Sequence, residues 1–177
     1  MSHQEAIAAY DQLFSELVKS PDPYDVVESA WEELKAPYAS LYDGMDLGDE
    51  VGPGWWPLLL QAFAEIKATV DPHPGYRFTV RQIKEKFGGL RFYYHLHKDG
   101  EDEEEIRFGD AEEENEEVRM RMHERISAII DAAEAKAYAT CEVCGEPGEA
   151  RDTGWVKTLC DHHNEVMIGR NKRRGRK

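Results

Sequence analysis

The sequence predicts an α+β protein on three observations: helical hydrophobic periods up to residue 70, an alternating period between Phe78 and Leu96 interrupted by a glycine pair, and two pairs of metal-ligand residues near the C-terminus. The expected architecture is N-terminal helices packed on an antiparallel, hairpin-based sheet, then a long helix, then a treble-clef-like zinc module. The expected organisation is an α+β core domain over 1–139 with an acidic loop at 99–114, a zinc-binding module at 140–169, and a basic tail at 170–177.

Each element has its own signal. Ser2 with Glu5 three residues on forms a capping-box pattern, and Ile7, Tyr10, Leu13, Phe14, Leu17 and Val18 then recur at helical spacing until Pro21. Asp22 and Pro23 are suited to the cap and first position of a second helix carrying Val26, Val27, Ala30, Trp31 and Leu34. Residues 38–54 read as a loop ending in Gly52-Pro53-Gly54. Trp55 to Val70 reads as a third helix, with Trp55 and Trp56 as core and entry anchors and Asp71-Pro72-His73-Pro74-Gly75 as its terminator.

The period then becomes two. Phe78 and Val80 share one face of a first strand, and Leu90, Phe92, Tyr94 and Leu96 share one face of a second. Gly88-Gly89 between them suits a tight turn needing positive φ. The alternation slips at Gln82 and Ile83, where a bulge would re-aim Lys84 and Lys86. A fourth helix is expected from Asn115 to Ala139, with Val118, Met122, Ile126, Ile129, Ile130 and Ala133 on one stripe.

Charge is segregated along the 177 residues, whose net charge is −14. Residues 1–71 hold 14 acids against 3 bases, 72–98 hold 1 against 6, 99–117 hold 12 against 1, and 118–177 hold 9 against 12. The chain therefore offers two candidate surfaces of opposite sign. The 99–117 run has too few apolar residues to bury a core and reads as solvated. The longest apolar run, Trp55 to Leu60, is far below the roughly 18 residues of a membrane span, and with Glu5, Asp11 and Glu16 and no apolar block after a basic start, no secretory signal is expected. Three cysteines cannot all pair, so a reducing, cytoplasmic setting is expected.

Those cysteines carry the sharpest chemical signal. Cys141-Glu142-Val143-Cys144-Gly145 and Cys160-Asp161-His162-His163 place two ligand pairs fifteen residues apart, the arrangement that completes a tetrahedron around zinc. The expected set is Cys141, Cys144, Cys160 and His163, with His162 as the alternative fourth ligand. Asp152-Thr153-Gly154 would turn between two short strands, Trp155 and Val156 would supply apolar cover, and a helix would follow from Asp161. Four protein ligands leave no open position, so one structural zinc per chain is expected, and no catalysis by it. Leu159-Cys160-x-x-His163 also resembles the second zinc knuckle of some HNH nucleases, but no histidine lies between the two pairs.

The hairpin is the second candidate site. Arg77, Arg81, Lys84, Lys86 and Arg91 lie among Phe87, Phe92, Tyr93 and Tyr94, a mixture suited to phosphates and bases. Arg81, Lys84, Lys86, Arg91 and Tyr93 are the candidate partner-binding residues. The tail from Arg170 to Lys177 has six bases in eight residues and would be attracted to any polyanion.

The strings GWWPLL, QIKEKFGGLRFYYH, ATCEVCGEPG and GWVKTLCDHH resemble the shared motifs of a widespread, largely uncharacterised family of small phage and bacterial proteins, over about Gly54 to His163. The resemblance implies a zinc-stapled fold and a mobile-element origin, and supplies no activity. The functional expectation is a non-enzymatic binding protein, a phage or prophage accessory factor that engages or inhibits a host defence protein, in one variant through an acidic surface that mimics DNA. The alternative is nucleic-acid binding by hairpin, zinc module and tail, and a degenerate HNH-like nuclease comes third.

Overall fold

The computed structural model describes residues 2–17, 28–42, 49–98, 113–152 and 154–174. The fold is α+β. The order is α1 (His3–Leu17), α2 (Glu28–Lys35), a 3-10 segment (Ala36–Leu41), β1 (Asp49–Glu50), a 3-10 turn (Pro53–Trp55), α3 (Trp56–Val70), β2 (Tyr76–Lys86), β3 (Gly89–Lys98), α4 (Glu113–Ala137), β4 (Glu149–Asp152), β5 (Val156–Leu159) and α5 (Asp161–Arg174). Among the described residues no helix is long and apolar enough to cross a membrane.

The capping box opens α1 as its residues require: the Glu5 carboxylate accepts from the Ser2 backbone N–H at 2.6 Å, and the Ser2 hydroxyl from the Glu5 N–H at 3.3 Å. Ala6 and Tyr10 are then buried on the inner face. Trp31 and Leu34 are the buried face of α2, while the expected cap at Asp22 and Pro23, with Val18, Val26 and Val27, lies outside the described residues. In α3, Leu59, Leu60, Phe63 and Ile66 face the core.

Aromatic rings join these elements. Trp31 stacks on Trp56 at 5.0 Å between centroids, and Phe63 meets Phe92 edge-on at 5.8 Å, carrying the core from helix to sheet. On the far side, Met122, Ile126, Ile129, Ile130 and Ala133 of α4 are buried in the same core.

Several expectations are corrected. The segment 38–54 is not simply loop, because Asp49–Glu50 pairs parallel to Ile83–Lys84, which makes the sheet a mixed one in the order β1-β2-β3. Two residues are too short for alternation to reveal a strand. The hairpin turn is Phe87-Gly88, at φ 54° and 76°, and Gly89 opens β3. Positive φ at both central positions is what a tight hairpin demands, and Phe87 accepts it beside a glycine. The irregularity falls at Arg81, between Val80 and Gln82, one residue before the expected slip. Val80 and Ile83 are both buried three residues apart, so one extra residue must be absorbed between them. The fourth helix runs Glu113–Ala137 rather than 115–139.

Candidate metal centre

The segment after α4 turns through the knuckle 141–145, where the Gly145 N–H donates to the Cys141 carbonyl at 2.8 Å and Gly145 takes φ 75°. This presents Cys141 and Cys144 on one side of a tight turn. Strands β4 and β5 then pair antiparallel from Glu149↔Leu159 to Asp152↔Val156 and deliver Cys160. The first turn of α5 places His163 three residues later on the inner side. Asp161, also in that turn, ion-pairs with Arg151 and sits where a helix N-terminus favours negative charge.

The result is a compact donor cluster. One ligand atom from each of Cys141, Cys144, Cys160 and His163 lies within 4.8 Å of all the others. His163 Nδ1 is 3.3 Å from Cys160 Sγ and 3.6 Å from Cys141 Sγ, and the Cys144 and Cys160 sulfurs are 3.8 Å apart. His162 is exposed with its ring at 75° to that of His163, and it does not join the cluster. These four residues are compatible with one bound metal ion.

Thiol chemistry supports that fit. Hydrogen bonding from Cys144, opposed by burial and reinforced by His163, holds Cys141 far below the usual thiol range, at about 3. The same contact with Cys141, with burial, pushes Cys144 up. Three sulfurs in this space cannot all ionise without a cation between them, because like charges at such distances raise one another's pKa. A metal ion bound by Cys141, Cys144, Cys160 and His163 would remove the conflict by holding the three sulfurs as thiolates.

The cover of the centre differs from the expectation. Trp155 is 63% exposed, whereas Val143 and Leu159 are buried with the cysteines and Phe14 and Met167 pack against them. Trp155 follows the β4–β5 turn, and its indole N–H reaches out of the module to the Glu85 carboxylate at 3.2 Å.

The centre is fastened to the helical core at several points. The Gly54 N–H donates to the Glu142 carbonyl at 2.9 Å, and the Trp55 indole to the Thr140 carbonyl at 2.8 Å. Tyr10 of α1 donates to the Pro53 carbonyl at 3.0 Å, and burial raises its pKa, as does the nearby Cys144. Lys157 ion-pairs with the buried Glu142 inside the knuckle, and Thr158 donates to the Gly88 carbonyl at 2.6 Å.

The hairpin candidates divide. Lys84, Lys86, Arg91 and Tyr93 fall on the side opposite buried Ile83 and Phe92, with Lys84 opposite Arg91 and Gln82 opposite Tyr93. Arg81 is the bulged residue and has no register partner on β3. Arg77 is exposed nearer the open end, opposite His97. The acidic residues 99–112 and the tail end 175–177 lie outside the described residues.

Four polar partners escaped sequence reasoning. Glu134 of α4 accepts the Phe92 N–H at 3.0 Å on the edge of β3, Tyr138 accepts from Arg91 at 3.1 Å, and Tyr94 shares hydrogen bonds with His123 and Ser127 at 3.1 and 3.2 Å. The i, i+4 spacing of His123 and Ser127 was visible, but their meeting with Tyr94 depends on how α4 crosses the sheet. Comparison with protein-family models, curated proteins and solved structures returned no match.

Proposed function

We propose that this chain is a non-enzymatic binding protein in which one zinc ion fixes a treble-clef-like module onto the helical core. The observation that carries the reading is the donor set itself, three cysteines and a histidine with ligand atoms within 4.8 Å of one another. Tetrahedral zinc at ordinary bond lengths has edges of about 3.8 Å between sulfurs and about 3.6 Å between sulfur and nitrogen. Cys144–Cys160 at 3.8 Å and Cys141–His163 at 3.6 Å match those edges, while Cys160–His163 at 3.3 Å is shorter and the cluster extends to 4.8 Å. Four protein ligands leave no coordination position for substrate or water, so the ion serves structure.

The resemblance of its motifs to those of small phage and bacterial proteins would make the partner a host macromolecule. The host-protein variant rests on the acidic run, of which 99–112 lies outside the described residues, so its support is compositional. The nucleic-acid variant has a specific observation in its favour, the cations and exposed ring on the outer face of the hairpin. The test is elemental analysis of chelator-free protein, together with capture of partners from bacterial lysate with and without nuclease. Zinc well below one equivalent, or turnover of a bound substrate, would overturn the reading.

A further inference from the structure

Toward the hairpin tip the β2–β3 register assembles a face that the core does not use, whereas Thr79, opposite His95, is buried. Ile83, Leu90 and Phe92 point inward and are buried, so Gln82, Lys84 and Lys86 of β2 and Arg91, Tyr93 and His95 of β3 form the opposite side. Tyr93 is 46% exposed there, and the Lys84 ammonium lies 5.3 Å from its ring centroid. At the tip, the Lys86 ammonium lies 5.6 Å from the ring of Phe87, which is 67% exposed. A cation beside an open aromatic face recurs along one strand.

Among the described residues, few carboxylates border that face. Glu85 is the single acid among residues 72–98, and its side chain is engaged elsewhere, accepting from the Gly88 N–H at 2.7 Å and from the Trp155 indole. Two neighbours border the face: Glu50 stands in register with Lys84 on β1, and Glu134 lies 3.7 Å from the Arg91 guanidinium. Arg91 is thereby partly neutralised. Lys86 is exposed, and Lys84 donates to Gln82 at 2.6 Å.

We infer that this outer face of the hairpin binds single-stranded nucleic acid, with Tyr93 stacking on a base and Lys84 and Lys86 contacting phosphates. The inference rests on the binding-protein reading and gives it a partner class. Duplex DNA would meet the cations, but its bases are already stacked on one another and leave Tyr93 unused. An acidic protein would likewise engage the lysines without needing an open ring. Only an unpaired strand presents phosphates and free base faces together.

The experiment is fluorescence anisotropy on the full zinc-loaded chain, with oligo-dT and oligo-U of about a dozen nucleotides, a duplex of equal length and a poly-glutamate competitor of matched charge. The single strands should bind best. Tyr93→Ala should weaken them at least fivefold, while Tyr93→Phe, which keeps the ring, should retain affinity. Lys84→Glu with Lys86→Glu should make the salt dependence shallower by about 1.4, or about 0.7 for each lost phosphate contact. Equal binding of duplex, or displacement by poly-glutamate at equal charge concentration, overturns the inference. So does unchanged binding by Tyr93→Ala, an exposed substitution that should leave the fold intact. Metal content is measured alongside: a folded, zinc-loaded chain that ignores every strand overturns this inference alone, and cleavage of the oligonucleotide overturns the non-enzymatic reading.

Discussion

Gly54 is pressed against Cys141: a β-carbon at position 54 would lie 2.1 Å from the Cys141 carbonyl oxygen and 2.4 Å from the Gly145 nitrogen. The turn entering α3 and the cysteine knuckle therefore touch backbone to backbone, and the candidate metal centre is packed on the helical core rather than tethered to it. Gly52 makes the same approach to the Glu142 carbonyl, at 2.1 Å.

Replacing Gly54 with alanine must push the knuckle away from α3. Overpacking of this kind costs about 1–3 kcal/mol, so the melting temperature should fall by several degrees and zinc should be lost more readily to a chelator. Gly75→Ala is the control, since a β-carbon there meets nothing within 4 Å. Equal melting temperatures for the two variants would show that the backbone contact is not tight.

Zinc content should follow the four ligands. Wild type and His162→Ala should each hold one equivalent, whereas Cys144→Ala and His163→Ala should hold markedly less, as measured by elemental analysis. Because metal binding to such modules is coupled to their folding, chelation should raise hydrogen exchange across 140–170. It should also reach the Gly54 and Trp55 amides that pack on the knuckle.

Glu134→Ala should expose a different dependence. It leaves the Phe92 N–H on the edge of β3 without the carboxylate that now accepts it. The bond is only part-buried, so its loss should cost about 1 kcal/mol, and amide exchange at Phe92 should accelerate accordingly. Glu134→Gln keeps an acceptor oxygen and should lie between the variant and wild type.

Tyr10 gives a pH signature. Its pKa is raised by burial above the ordinary tyrosine value of about 10. The native state then keeps a proton that the unfolded chain has released, so the contribution is complete below about pH 10 and is lost as pH climbs toward the folded value. Stability should fall above pH 10 with a slope of at most about 1.4 kcal/mol per pH unit from this group. Subtracting the denaturation profile of Tyr10→Phe isolates that slope, and parallel profiles for the two proteins would refute the assignment. The variant should also lose about 1 kcal/mol throughout, from the hydrogen bond to Pro53.

What the residues alone determined was everything governed by short-range pattern. The Ser2–Glu5 box, the stripes of α3 and α4, the inward set Leu90, Phe92 and Tyr94, and the four metal donors are legible because each depends on spacing along one chain segment. The Cys-x-x-His spacing already favours His163 over His162, and the first turn of α5 places His163 in the donor cluster while His162 stays exposed. Only the tertiary structure decided that Trp155 leaves its own module for Glu85, that β1 joins the sheet beside β2, and that Gly54 meets Cys141. Those contacts join residues far apart in sequence. Their positions depend on how helices, sheet and knuckle pack together, and no local period in the sequence records that packing.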